Sequence, residues 1–240
     1  LRGNMALVDS MAQRISAEGP GPDELKRIVG LPVYGSAFVL SYFGGADGLM
    51  FSVPAGSRPA DYDPRARGWY KAAMAAGQTV VTEPYIAASS GKLVITVATP
   101  VKRDGAIIGV AGADIDLSSV SATINSLDFD GHGHAFIVSS EGKILIHPNK
   151  DLILKPLSEA FPGSNLAAKG GLSEAQADGE DLLVHFSPLQ GIPSANWQIG
   201  LALEQSFAFS MLKEFRVTAT LATVIAVLTI ITLLSILINV

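Results

Sequence analysis

Cysteine is absent from all 240 residues, which excludes disulfides, thiolate metal ligands and thiol nucleophiles. Its absence fits a bacterial periplasm without requiring one. Positive charge is scarce: 17 Lys and Arg stand against 22 Asp and Glu, a net charge of −5. Without a basic face, nucleic acid is excluded as a partner. No glycine-rich phosphate loop is present, and Gly44-Gly45-Ala46-Asp47-Gly48 and Ser89-Ser90-Gly91 read as turns rather than catalytic elbows. No acid, base and nucleophile gather into a catalytic constellation, so neither an enzyme nor a cofactor is expected.

Charge disappears altogether after Arg216. Residues 217–240 are apolar apart from Thr, Ser and Asn. At about 1.5 Å per residue such a helix reaches about 36 Å, enough for a hydrocarbon core of about 30 Å. The Thr and Ser hydroxyls can bond back to the preceding turn, and Lys213, Glu214 and Arg216 can reach headgroups from the flank. A transmembrane helix is expected here. The chain starts at Leu1 without a start methionine and reads as an excerpt from a longer protein.

Upstream, Leu1, Met5, Val8, Ala12 and Ile15 recur at spacings of four and three. That is the seam of a coiled coil or paired helix, or a helix packed on its own domain. Gly19-Pro20-Gly21-Pro22 ends it, and a short helix over residues 23–29 follows. An internal repeat then organises the middle of the chain. Residues 35–41 (GSAFVLS) resemble residues 133–139 (GHAFIVS), and both read as strands. Each copy turns at a glycine into a second strand, at 49–54 and 144–148. Each closes with a strand pair, 93–101 with 107–114 and 182–188 with 197–203. Lys102-Arg103-Asp104-Gly105 is a hairpin turn. A period near a hundred residues means two small modules rather than a solenoid, and segregated strands and helices predict an α+β class.

The most informative stretch is Asp61-Tyr62-Asp63-Pro64-Arg65-Ala66-Arg67-Gly68-Trp69-Tyr70. Asp63 suits an N-cap and Pro64 a first helical position, predicting a helix from residue 64 to about 76 that Gly77 ends. On the residues alone, Trp69 and Tyr70 serve equally as core anchors and Arg65 as a solvated charge. His132 and His134 form a His-x-His pair with no third or fourth ligand in view, and read as loop histidines rather than a metal site. His147 and His185 read as structural residues in strands.

Taken together, Asp-Pro-Arg-x-Arg-x-Trp-Tyr, Thr82-Glu83-Pro84-Tyr85 and Gly112-Ala113-Asp114-Ile115-Asp116-Leu117 resemble the double-Cache sensor domain. That domain occurs in bacterial methyl-accepting chemotaxis receptors and in some sensor kinases and cyclases. Residues 144–150 and 156–159 resemble its membrane-proximal half. The resemblance runs from about Ser36 to Ser206, and the spacing from Tyr62 to Asp114 matches the amino-acid-binding subgroup.

The resemblance implies tandem PAS-like antiparallel-sheet modules: a helical stalk at 1–29, a membrane-distal ligand-binding module at 30–130, a proximal module at 131–205, and a connecting helix with the span at 206–240. Residues up to about 212 would lie outside a bacterial inner membrane, in a homodimer whose cytoplasmic signalling partners are reached through a missing C-terminal part. It further implies that Arg67, Tyr62 and Trp69 hold a ligand carboxylate, while Asp114, Tyr70 and Tyr85 meet an ammonium. An Arg fork suits a carboxylate, and ring faces suit a cation. Two positions depart from the subgroup: Ala87 stands where an acidic residue is usual, and Gly68 replaces the usual proline. Without that acid the ligand is either an amino acid or a small carboxylate lacking the α-amine. A tethered protein presenting ligand for uptake is the rival class.

Overall fold

The computed structural model describes residues 1–127, 129–192 and 195–210. Helix α1 (Arg2–Glu18) leads into α2 (Pro22–Val29) and α3 (Pro32–Ala37), the latter two each starting with proline at a first-turn position. Strands β1 (Leu40–Gly45) and β2 (Met50–Val53) follow, then α4 (Gly68–Ala76), the short strands β3 (Val80–Val81) and β4 (Tyr85–Ile86), and the long hairpin β5 (Leu93–Arg103) and β6 (Ala106–Asp116). Asp104 and Gly105 both take positive φ at the tip, as a tight hairpin requires. Helix α5 (Leu117–Asn125) leads to β7 (Gly133–Val138), β8 (Ile144–Ile146), α6 (Leu157–Ala160), β9 (Gly171–Ala177), β10 (Glu180–Pro188) and β11 (Gln198–Glu204).

The repeat read from sequence reappears as topology. One antiparallel sheet runs β2-β1-β6-β5-β3, with β4 also on β5, and the other runs β8-β7-β11-β10-β9. The α+β class holds. Two local expectations do not. Residues 35–37 are helical rather than extended, because Pro32 opens α3 and the first copy's strand begins only at Leu40. The helix expected from Pro64 is also broken. Pro64–Ala66 form a single 3-10 turn capped by the Asp63 side chain on the Arg65 amide. Arg67 is then extended (φ −81°, ψ 148°), and α4 starts at Gly68 and ends, as expected, at a left-handed Gly77.

The first sheet is covered on both faces. Val8, Met11 and Ile15 of α1 lie on one face with Phe43, Val97 and Ala111, fully or almost fully buried. Each such side chain contributes roughly 1.5–3 kcal/mol. Asp9 ties the helix down, accepting from the hydroxyls of Thr79 and Thr99. Thus the apolar seam of α1 meets its own sheet. Ile137, Leu145, Ile146 and Trp197 from the second module join the same apolar cluster, so the two modules share a core. The opposite face of the first sheet packs Leu40, Tyr42, Ala98 and Val110 against Trp69, Tyr70 and Ala73 of α4. Among the described residues no helix is long and apolar enough to cross a membrane; the run at 217–240 lies outside them.

Candidate functional site

Strand pairing assembles the site on the α4 face of the first sheet. Asp114 on β6 lies opposite Leu40 on β1 and Thr96 on β5, and directly opposed residues share a face. Tyr42, two residues along β1 from Leu40, shares it as well. Its ring lies against Gly112, where any Cβ would sit 2.3 Å from a ring carbon. The sheet therefore brings a phenol, a hydroxyl and a carboxylate together beneath α4.

Asp114 is only 3% exposed, and a buried carboxylate is costly unless hydrogen-bonded. Tyr42 donates to its Oδ1 at 2.8 Å and Thr96 donates to the same oxygen at 2.6 Å. With the Thr96 proton so committed, the Tyr85 hydroxyl, 2.7 Å from Thr96 Oγ1, acts as donor to it. A short relay from Tyr85 through Thr96 thus ends on Asp114. Burial raises the Asp114 pKa, while the Thr96 and Tyr42 bonds and the charge of Arg58 oppose the rise. Tyr42 is pushed well up, by burial first and then by Asp114, and burial likewise raises Tyr85. Both phenols therefore remain donors at neutral pH.

Across the cavity stand two cations. The guanidinium carbons of Arg58 and Arg67 each lie 5.5 Å from the centroid of the Tyr62 ring, within cation–π range. The extended conformation of Arg67, between the 3-10 turn and α4, sets this side chain apart from Arg65. Arg65 instead forks onto Asp63, with Nη2–Oδ2 at 2.9 Å. Trp69 meets Tyr42 edge-on, centroids 4.8 Å apart.

Five of the six residues singled out in the sequence, Tyr62, Arg67, Trp69, Tyr85 and Asp114, line one cavity. Tyr70 is not among its walls: it packs beside Trp69, and its hydroxyl feels the charges of Arg65, Asp47 and Asp63. Sequence reading missed Tyr42 and Arg58, which line the cavity, and Thr96, which holds Asp114. Ala87 is buried in the wall. The cavity encloses only about 20 Å³, but Arg67, Trp69 and Tyr85 also line a neighbouring groove of about 600 Å³ between the modules. Opposite walls of that groove come from Ser139, Ser140 and Trp197. Both spaces carry both signs, Arg67 and Glu83 in the groove and Arg58, Arg67 and Asp114 in the cavity. The cavity's acid is buried, and its lining has the means to hold both an anion and a cation.

The histidines serve other purposes. His132 Nδ1 lies 2.8 Å from Glu204 Oε2, with its ring stacked on Phe207. His147 packs edge-on against His134, accepts the Asn149 amide at Nδ1, and is held down to about 4 chiefly by burial. His185 faces solvent on β10 beside Ser187.

Comparison with known proteins places these features. The family model of the Cache domain, dCache_1, matches residues 7–212. Methyl-accepting chemotaxis protein PscA of Pseudomonas syringae pv. tomato is 55% identical over 240 residues, covering 100% of this chain and 38% of that protein. The chain therefore spans well under half the length of that relative. Among solved structures, the ligand-binding domain of the Pseudomonas aeruginosa PAO1 amino acid chemoreceptor PctB in complex with L-Arg superposes with a TM-score of 0.82 at 40% identity, covering 86% of this chain and 88% of that one. The ligand-binding domain of Pseudomonas fluorescens chemoreceptor CtaA in complex with L-alanine gives 0.81 at 38% identity, covering 86% and 90%.

Proposed function

Because this chain belongs to the Cache domain family, we propose that it is the extracytoplasmic ligand-binding part of a chemotaxis receptor and that its ligand is a small α-amino acid held in the first module. The observation that carries the ligand class is the placing of Arg67 and Asp114 in the walls of one cavity. A guanidinium fork receives a carboxylate, and a buried carboxylate with hydroxyl donors on one oxygen retains the other for an ammonium. The complexes of PctB with L-Arg and of CtaA with L-alanine support the same class.

In this reading the run at 217–240 anchors the chain in the inner membrane, and the described residues face the periplasm. Two copies form the receptor, and a cytoplasmic part beyond residue 240 carries the output. The chain performs no catalysis. Ligand repositions the walls formed by Arg67, Trp69 and Tyr85, opening the small cavity to fit itself, and the change crosses the groove into the second module and on to the C-terminal helix. Such helix shifts are of order 1–2 Å. A calorimetric screen of amino acids and of their deamino analogues tests the proposal. Binding that requires both the amine and the carboxylate is expected. A receptor that accepts the deamino acid equally well is a carboxylate sensor, the reading that Ala87 would favour, and the amino-acid proposal is then lost.

A further inference from the structure

The cavity charges do not balance a neutral amino acid. Its lining holds two guanidiniums, Arg58 and Arg67, against one carboxyl group, Asp114. Among the described residues neither guanidinium has a carboxylate within ion-pairing distance, although Asp114 feels the charge of Arg58. Asp61, beside Tyr62 in the chain, is exposed, and three other acids are engaged elsewhere. Asp63 pairs with Arg65, Glu83 with Lys143 at 3.0 Å, and Asp116 with Lys92 at 3.8 Å. Position 87, where a second acid would restore neutrality, is a buried alanine. Arg58 is half-buried, its Nη2 donating to Ser52 Oγ at 2.7 Å and its carbon over Tyr62. It is fixed in the wall rather than waving in solvent.

We infer that the ligand is an acidic amino acid, one whose side chain ends in a second carboxylate. The inference rests on the amino-acid reading above. Each charge of such a ligand then has one partner: the α-carboxylate and side-chain carboxylate take the two guanidiniums, and the ammonium takes Asp114. Other ligand classes leave a charge unanswered. A neutral amino acid leaves one guanidinium desolvated without an anion, and a basic one adds to the excess. A diacid without an amine brings negative charge to Asp114, which has only hydroxyl donors to share it. The two guanidinium carbons each lie 5.5 Å from the Tyr62 ring centroid, and both side chains line the one cavity. Discrimination by charge pairing is strong because an unpaired desolvated ion is penalised far more than a missing methylene.

The test is isothermal titration of the 240-residue chain in detergent with L-aspartate, L-glutamate, L-asparagine, L-glutamine, L-alanine and succinate. At least one acid should bind about tenfold or more tightly than its own amide, a gap of about 1.4 kcal/mol, and more tightly than succinate. Arg58→Gln should bring acid and amide to within about threefold. Ala87→Asp, a separate route that leaves Arg58 in place, should weaken the acid and strengthen the amide. Amides or alanine binding more tightly than the acids would overturn the inference and leave the amino-acid reading standing. Succinate binding as well as aspartate, or no amino acid binding at all, would overturn both. An acid preference that survives Arg58→Gln and Ala87→Asp unchanged, with melting temperatures intact, would also sink it.

Discussion

The Tyr42 hydroxyl donates to Asp114 Oδ1 at 2.8 Å across the β1–β6 pairing, so a strand of the sheet and a cavity-lining carboxylate are one unit. Burial has raised the Asp114 pKa above its ordinary value. A group raised in the folded state gives its full stability below the unfolded pKa and loses it as pH rises through the folded one. Ionising Asp114 is thus a cost to the empty domain. Asp114→Asn keeps an acceptor for Tyr42 and Thr96 without the charge. It should raise the melting temperature at pH 7, abolish binding of an amine ligand, and show a smaller thermal advantage at pH 4. Scanning calorimetry at the two pH values with one binding isotherm decides it.

The same carboxylate sets a pH dependence for the ligand. An ammonium binds ionised Asp114, so affinity should fall as pH drops through the Asp114 pKa of the empty domain. Tyr42→Phe removes a bond that stabilises the carboxylate, and the midpoint of that fall should move to higher pH. Affinities measured between pH 4 and 8 test this; a midpoint unchanged by Tyr42→Phe would detach Asp114 from the ammonium.

Arg67 and Arg65 lie two residues apart in different surroundings, one lining the cavity and the other paired with Asp63 at the surface. Removing a carboxylate partner typically costs about 2–5 kcal/mol, so Arg67→Ala should weaken binding from about thirtyfold to several thousandfold. Arg65→Ala should stay within about threefold. Equal losses at both would point to a general electrostatic or folding effect.

Changes at His147 and His185 should leave ligand affinity within about threefold. The first is buried and neutral, its pKa held at about 4 mainly by desolvation, and the second faces solvent on the second sheet. A large loss at either, with the fold intact by circular dichroism, would move the ligand into the second module.

The full chain should need detergent for solubility, whereas a chain ending at Ser210 should not. An apolar run of 24 residues at 217–240 exceeds the roughly 20 needed to span. Monodisperse full chain in plain buffer would remove the anchor from the proposal.

How far the sequence carried this reading depends on where each signal lay. The repeat was legible because GSAFVLS runs into β1 and GHAFIVS forms β7, strands in equivalent places of the two sheets. Sequence likeness nevertheless overran the local chemistry at residues 35–37, where Pro32 starts a helix turn. Strand β9 went unread because its solvent-facing, polar residues (GLSEAQA) lack the apolar alternation that marks a strand. The short β3 and β4 carry too few residues for any period. The break at Arg67 was hidden because capping signals locate a turn at Asp63 without saying that one extended residue will restart it. Arg58 was invisible for another reason. It lies in a Gly- and Pro-rich connection, and only the returning chain places it on the cavity wall. Tyr42 and Thr96 looked like core residues of strands, which they are; their hydroxyls acquire a role only from the register with Asp114.

Three side chains, Arg67, Trp69 and Tyr85, form walls of both the charged cavity and the groove between modules, and this divides the site by the freedom each wall has to evolve. Arg58, Ala87, Ala88 and Ser89 line the cavity without lining the groove, so in the proposed receptor a lineage can change ligand choice at these positions without touching the groove. Under the proposed function, substitution at the shared three changes recognition and response in one stroke. Diversification of diet across such receptors should therefore concentrate on the loop residues 87–89 and on Arg58, with the shared trio as the hinge on which selection tolerates least.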